Sequence, residues 1–207
     1  MAAPPVTAEQ PIVLGIDPGL RVCGWGVVRG GRQPEYIAAG VIRPKTSDPI
    51  TARLLCLNAG VAQLIHTYAP DEIAIEDPFV GAIQPASALA IGQARAAAVL
   101  AAASAGLEVS FYAPAAVKTA VSGYGRSDKA QVQAMVKLLL SLDAVPEPAD
   151  TADALAVAIC HLNSRRVRAL EVSTAKRPQT GNRALRQSSG QAIGQSRKIK
   201  ASGVVRS

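Results

Sequence analysis

The chain has 207 residues, a length that suits one ordinary domain with a tail or two very small domains. Hydrophobic residues make up 49% and charged residues 18%, which excludes global disorder and allows a packed core. Residues 1–163 carry 11 Lys or Arg against 14 Asp or Glu, whereas residues 164–207 carry 11 against the single Glu171. This strongly basic tail indicates a polyanionic partner, such as nucleic acid or a membrane surface.

The compartment is indicated by the cysteines and by the N-terminus. Cys23, Cys56 and Cys160 lie far apart among apolar neighbours, so we expect reduced, buried thiols in an intracellular protein. Residues 1–11 lack the basic and apolar regions of a signal peptide, and we expect them to form a flexible leader. The longest apolar run, residues 96–103, is about a third of the ~20 residues that a membrane span needs, which predicts a soluble protein.

Hydrophobic periodicity predicts one domain over residues 12–163, with five strands and four helices. The strands are predicted at residues 12–17, 22–29, 35–43, 71–76 and 107–112, with Gly30 and Gly31 as a hairpin turn. The helices are predicted at residues 50–68, 85–105, 127–140 and 150–163. This order predicts an α/β protein of the ribonuclease H-like fold, with a mixed five-stranded sheet (an antiparallel meander plus parallel strands) and helices on both faces. After Ser164 the periodicity fades, so residues 164–207 are predicted to be a disordered tail.

Four acidic residues fall where mixed sheets usually form their sites. Asp17 and Glu76 each end an apolar strand, and Asp150 and Asp153 are three residues apart at a helix start, so they share a face. Each acid alone has a structural interpretation, as a turn former, a solvated strand end or a helix cap. Together they suit Mg²⁺, and two such ions about 4 Å apart can clamp the attacking water and the leaving oxygen of a phosphodiester.

Two lysines and one aromatic residue are candidate contacts with nucleic acid. Lys129 begins a predicted helix and, like Lys118, can pair with a phosphate or stabilise charge at the scissile group. Phe79 follows Asp77-Pro78 in a predicted loop, where an exposed ring can stack on bases or wedge between them. The alternatives are solvent-facing lysines and a phenylalanine that folds back on the core.

Several segments resemble the RuvC family of Holliday-junction resolvases, in the same order over residues 12–163. They are GIDPG at 15–19, G-W-G at 24–26, AIEDPF at 74–79, SALAIGQARA at 87–96, VKTAVSGYGRSDKAQVQAMV at 117–136 and DTADALAVAI at 150–159. The resemblance implies a homodimer and Mg²⁺-dependent cleavage of four-way DNA junctions by paired symmetric nicks, in homologous recombination and DNA repair. Mn²⁺ is expected as a substitute for Mg²⁺.

The resemblance also implies roles for individual residues. Asp17, Glu76, Asp150 and Asp153 take the four metal-ligand positions of two Mg²⁺ ions, and Phe79, Lys118 and Lys129 take positions that contact DNA. The alanine-rich helix at residues 86–105 takes the place of the family's dimer interface. The implied partners are junction DNA and a branch-migration motor of the RuvA-RuvB type, in the bacterial cytoplasm at the nucleoid and with no membrane. Residues 80–86 depart from the family pattern, which leaves the sequence preference of cleavage open.

Three other classes of protein remain to be separated from a junction resolvase. A related single-domain nuclease of the same fold would act on other nucleic acids, and a non-catalytic protein would bind junctions without cutting them. An actin-like ATPase also begins with a G-x-D-x-G motif, but it needs two lobes, and this chain has residues for one.

Overall fold

The computed structural model describes residues 10–77 and 84–175. It confirms the predicted α/β fold with a mixed five-stranded sheet, whose strand order is β3-β2-β1-β4-β5. The strands are β1 (Ile12–Asp17), β2 (Cys23–Arg29), β3 (Glu35–Ile42), β4 (Glu72–Glu76) and β5 (Val109–Tyr112). The helices are α1 (Ile50–Tyr68), α2 (Pro85–Ser104), α3 (Pro114–Ser122), α4 (Lys129–Leu139) and α5 (Ala149–Ala175).

The direction of the strands brings the ends of β1 and β4 together. β1, β2 and β3 form an antiparallel meander, whereas β1 and β4 run parallel, with Ile16 opposite Ile75. Asp17 and Glu76 are the next residues of these two strands, so both leave the sheet at the same edge. β5 extends the parallel part of the sheet on the other side of β4.

Each face of the sheet carries its own hydrophobic core, because alternate residues of a strand point to opposite faces. On one face, Val13 packs in a cluster with Leu155 and Ile159 of α5, to which α3 and α4 also contribute. On the other face, Leu14 belongs to a cluster with Leu57 of α1 and with alanines of α2. The sheet is therefore covered on both sides, and α5 lies on the face that α3 and α4 share.

Glycines in β1 and β2 permit α5 to approach the sheet closely. Gly15 and Gly26 lie opposite each other in the β1–β2 pairing. A Cβ at Gly15 would lie 2.3 Å from the carbonyl oxygen of Ala154, and one at Gly26 would lie 2.6 Å from Leu155 Cδ2. Any side chain at these two positions would push the helix away from the sheet.

The structure corrects three predictions. α5 continues to Ala175, so residues 164–175 are helical rather than disordered. Residues 166–171 are exposed, so this part of the extension carries no apolar periodicity, although its Arg, Ala, Leu and Glu residues favour helix intrinsically. A further helix, α3, occupies a stretch with no predicted element, and Cys56 is exposed rather than buried. The rest of the predicted tail, residues 176–207, and the predicted leader up to residue 9 lie outside the described residues.

α2 has an unusual composition. Within residues 10–77 and 84–175, it is the one helix that is long and apolar enough, by length and composition alone, to cross a membrane. The core helix of a soluble protein passes the same test, and here Ala97, Ala98 and Ala101 are buried in the sheet's second core. Leu89 and Leu100 on the same helix are 64% and 62% exposed. α2 therefore has one buried side and one open apolar side.

Candidate active site

The structure brings all four predicted acids together at one edge of the sheet. Asp17 ends β1 and Glu76 ends β4, and the two carboxyl groups are joined by a side-chain hydrogen bond. Asp150 and Asp153 lie one turn apart at the start of α5, and both act electrostatically on Asp17. Two strand ends and one helix start thus supply a single cluster of carboxylates.

Burial and the repulsion of neighbouring carboxylates raise the pKa of Asp17 and of Glu76. Burial, followed by the charge of Asp153, raises the pKa of Asp17 to about 6. Burial, followed by the charge of Asp17, raises the pKa of Glu76 to about 8, against an opposing effect of Lys118. Like charges this close cannot all ionise without compensation, so the site favours protons, ammonium groups or metal cations.

The predicted lysines both reach this cluster. Lys129 Nζ lies 2.7 Å from Asp153 Oδ2, and this hydrogen bond raises the pKa of the lysine. Lys129 is the first residue of α4, whose start is fixed by a capping box: Asp128 accepts from the Gln131 backbone N–H, and Gln131 accepts in return. Lys118 on α3 lies close enough to Glu76 for its positive charge to oppose the rise in the pKa of that carboxyl group.

A cleft of about 170 Å³ opens beside these groups. Its lining comes from β4, α3, α4, α5 and the chain that joins them: Glu76, Pro114, Val117, Lys118, Lys129, Val132, Asp153 and Ala156. The polar lining consists of two carboxylates and two ammonium groups, and apolar side chains form the rest. Such a cleft can hold an anionic group between the lysines and a cation between the carboxylates.

The donor chemistry of the cluster fits a hard divalent cation. All four candidate ligands offer carboxylate oxygens, which Mg²⁺ prefers. Within residues 10–77 and 84–175, no three His, Cys, Asp or Glu side chains are already arranged to hold a metal ion. Three of the four carboxylates are instead engaged with a neighbour, Asp17 with Glu76 and Asp153 with Lys129. Binding a cation would therefore release the shared proton and free Asp153 from Lys129.

Two arginines outside the predicted set fix the chain next to the acids. Arg53 of α1 donates to the Leu20 carbonyl at 2.7 Å, in the turn after Asp17. Arg95 of α2 pairs with Asp77, which directly follows Glu76. Sequence reasoning missed Arg53 because its contact spans 33 residues and leaves no local pattern. The predicted DNA contact Phe79 lies outside the described residues.

A ribonuclease H-like sheet with carboxylates clustered at the ends of β1 and β4 is typical of a class of nucleases. Comparison with known proteins identifies the family within this class. A sequence model of the family described as "Crossover junction endodeoxyribonuclease RuvC" matches residues 13–161. The chain therefore belongs to the RuvC family.

Individual relatives agree with this assignment. The RuvC of Maricaulis maris is 52% identical over 159 residues, which cover 76% of this chain and 94% of the relative. The RuvC of Hahella chejuensis is 48% identical over 168 residues, covering 80% and 96%. The structure resembles that of "T. thermophilus RuvC in complex with Holliday junction substrate", with a TM-score of 0.72 and 34% identity over 76% of this chain and 96% of the other.

Proposed function

We propose that this protein resolves four-way DNA junctions by paired nicks, with Asp17, Glu76, Asp150 and Asp153 as ligands of two Mg²⁺ ions. The observation that carries the proposal is the convergence of these four acids beside Lys118 and Lys129, in a chain of the RuvC family. The junction in the similar Thermus thermophilus complex supports this substrate. The protein is a hydrolase that acts on DNA in recombination and repair.

The proposed chemistry is phosphodiester hydrolysis that leaves 5′-phosphate and 3′-hydroxyl ends. When bound, the two ions supply Lewis acidity for the attacking water and for the leaving 3′ oxygen. Asp17 and Glu76 give up their shared proton to act as ligands. Lys129 moves from Asp153 to the scissile phosphate, where its ammonium group stabilises the charge that develops on the oxygens.

We also propose a homodimer formed through the open side of α2. Leu89, Gly92, Ala96 and Leu100 are spaced by three or four residues and so lie on one face of the helix. Both leucines are more than half exposed, and a Cβ added at Gly92 would meet nothing within 4 Å. Small residues between two leucines let a second helix approach closely. A two-fold dimer presents two active sites symmetrically, which suits the two-fold symmetry of a junction.

The remaining parts of the proposal concern the location of the protein, its protein partner, the role of Phe79 and the choice of metal ion. The relatives are bacterial proteins that act on DNA, which supports a cytoplasmic location, and we add association with the nucleoid. A branch-migration motor of the RuvA-RuvB type is the proposed protein partner. Phe79 is proposed to contact bases near the junction centre, and Mn²⁺ to substitute for Mg²⁺.

The test is a nicking assay on an end-labelled mobile four-way junction with Mg²⁺, beside linear duplex and an RNA–DNA hybrid. We expect symmetric paired nicks on the junction alone. Asp17→Asn should bind the junction and fail to cut it, whereas Asp48→Asn, in an exposed turn before α1, should cut normally. Cleavage of the hybrid or duplex instead would indicate another nuclease of this fold, and tight binding without cleavage would indicate a scaffold protein.

A further inference from the structure

Tyr124 is an exposed aromatic residue in a protein that has few of them. Its relative exposure is 60%, and only 3% of the chain is aromatic. In the described part of the chain, two ring pairs lie at 5.7 Å between centroids, Trp25 with Tyr68 and Tyr112 with His161, while Phe111 is 49% exposed and lies under the guanidinium of Arg95. Tyr124 belongs to neither pair and presents its ring to solvent.

The backbone that carries Tyr124 is held in place by hydrogen bonds. The Tyr124 carbonyl oxygen accepts from the Ser127 backbone N–H at 3.2 Å and from the Ser127 hydroxyl at 2.8 Å. Ser127 itself is only 4% exposed. On the other side of the turn, Gly123 adopts a left-handed conformation with φ 78° and caps α3. The exposed ring is therefore displayed from a fixed turn, which lowers the entropy cost of using it in binding.

The turn lies between the two helices that supply the lysines of the candidate active site. Tyr124 is six residues after Lys118 and five before Lys129 in the sequence. Five residues span at most about 17 Å, so the ring lies within a few nucleotides of a phosphate held at Lys129. Arg126 in the same turn is exposed, and the one acid between Lys118 and Lys129 in the sequence, Asp128, is engaged as the cap of α4. The turn and the two helices that it joins thus combine cations for phosphates with an aromatic face for a base.

We infer that Tyr124 stacks on a nucleobase of the junction close to the scissile phosphate, as a DNA contact in addition to the metal site and Phe79. This inference rests on the proposed function, because it requires junction DNA in the cleft between α3 and α4. Aromatic stacking suits this role, since every base offers a π face and the phenol oxygen tolerates water. The contact places the strand beside the carboxylates rather than taking part in the chemistry.

The test combines protein variants with single abasic sites in the junction. Full-length wild type, Tyr124→Phe and Tyr124→Ala are titrated against junctions that lack one base at each position flanking the cleavage site. Tyr36→Ala is the matched control: Tyr36 is 39% exposed on β3, at a position paired with Val28, far from the end of β1 that holds Asp17. Binding in Ca²⁺ and single-turnover cleavage in Mg²⁺ are measured for each pair.

We expect Tyr124→Ala to weaken junction binding by roughly 5- to 100-fold, the usual cost of a lost base–aromatic stack, and Tyr124→Phe to behave as wild type. One abasic position should weaken wild type and leave Tyr124→Ala unaffected. Wild-type binding by Tyr124→Ala, or equal abasic effects in both proteins, would overturn the inference while leaving junction cleavage intact. A wild-type protein that neither binds nor cuts junctions would instead overturn the proposed function.

Discussion

Gly24 lies opposite Asp17 in the antiparallel pairing of β1 and β2, where the start of α5 crosses the sheet. A Cβ at position 24 would lie 2.0 Å from the carbonyl oxygen of Asp150 and 3.3 Å from its Cβ. The first turn of α5 therefore rests directly on the backbone of β2. This close approach is what brings Asp150 and Asp153 next to the carboxylate of Asp17.

Gly24→Ala should therefore damage the site more than the fold. The added methyl must push α5 outward, and overpacking of this kind costs about 1–3 kcal/mol in the free energy of unfolding. A displacement near 1 Å of Asp150 and Asp153 should reduce single-turnover cleavage by about 100-fold. Gly31→Ala is the control, because the atom nearest to a Cβ there is the Gln33 carbonyl oxygen at 3.3 Å, and the Gln10 side chain is no closer than 3.8 Å. Normal cleavage by Gly24→Ala would show that this contact does not set the site.

Local sequence patterns predicted the parts of the site that depend on neighbouring residues. The bounds of β1 were predicted correctly, and the spacing of Asp150 and Asp153 placed both on one helix face. Contacts between distant residues could not be predicted in this way. The close contact between Gly24 and Asp150 joins residues that are more than a hundred positions apart. The sequence by itself shows only a glycine in a predicted strand. Similarly, residues 166–171 in the extension of α5 are all exposed, so they leave no apolar pattern in the sequence.

Lys129 should affect the rate of cleavage rather than the binding of DNA. Removing one charge that stabilises a developing oxyanion typically costs 10²–10³-fold in rate, so we expect about this loss for Lys129→Met at saturating junction. Lys137→Met is the matched control, because Lys137 lies on the same helix two turns further along. Single-turnover rates and dissociation constants are measured for both variants. A rate within a few-fold of wild type for Lys129→Met would contradict the proposed role.

Charge on the open side of α2 should separate the proposed dimer. Leu100→Glu places a carboxylate on the open apolar side of α2, and pairing of two such helices would bury this charge at a large cost in free energy. We expect a dimer for wild type and a monomer for Leu100→Glu in sedimentation velocity, with unchanged far-ultraviolet circular dichroism. Leu138→Glu is the control, since Leu138 is 69% exposed but belongs to α4 rather than to the open side of α2. Wild type that sediments as a monomer at micromolar concentration would exclude this interface.

His161 forms a buried polar network at the opposite end of β4. Its Nδ1 lies 2.9 Å from the Tyr112 hydroxyl, and its Nε2 contacts the carboxylate of Glu72, which also pairs with Arg165. His161 is 2% exposed, and burial, together with the positive charge of Arg168, lowers its pKa from 6.5 to about 4. At neutral pH this lowered pKa favours a neutral ring, which can accept from the Tyr112 hydroxyl at Nδ1 and donate from Nε2 to Glu72.

This network should make the protein less stable in mild acid. Between pH 6.5 and 4 the unfolded chain binds a proton at His161 that the folded chain does not, so stability falls as the pH falls. The loss across this window is at most about 3.4 kcal/mol, at 1.36 kcal/mol per unit of pKa. Urea unfolding of wild type and His161→Gln at several pH values measures it. The difference between the two curves isolates His161, because Asp17 and Glu76 titrate in both proteins; parallel curves would contradict the lowered pKa.

The basic residues after α5 should act as a non-specific tether to DNA. Residues 176–207 contain eight Lys or Arg and no Asp or Glu. A chain that ends at Ala175 keeps the whole of α5, and we expect it to bind junctions more weakly than the full chain and with a shallower salt dependence. Each lost phosphate contact makes the negative slope of log K against log salt concentration less steep by about 0.9. A full-length variant with all eight basic residues replaced by Gln separates charge from length, and we expect it to match the truncated chain. An unchanged slope in both would refute the tether.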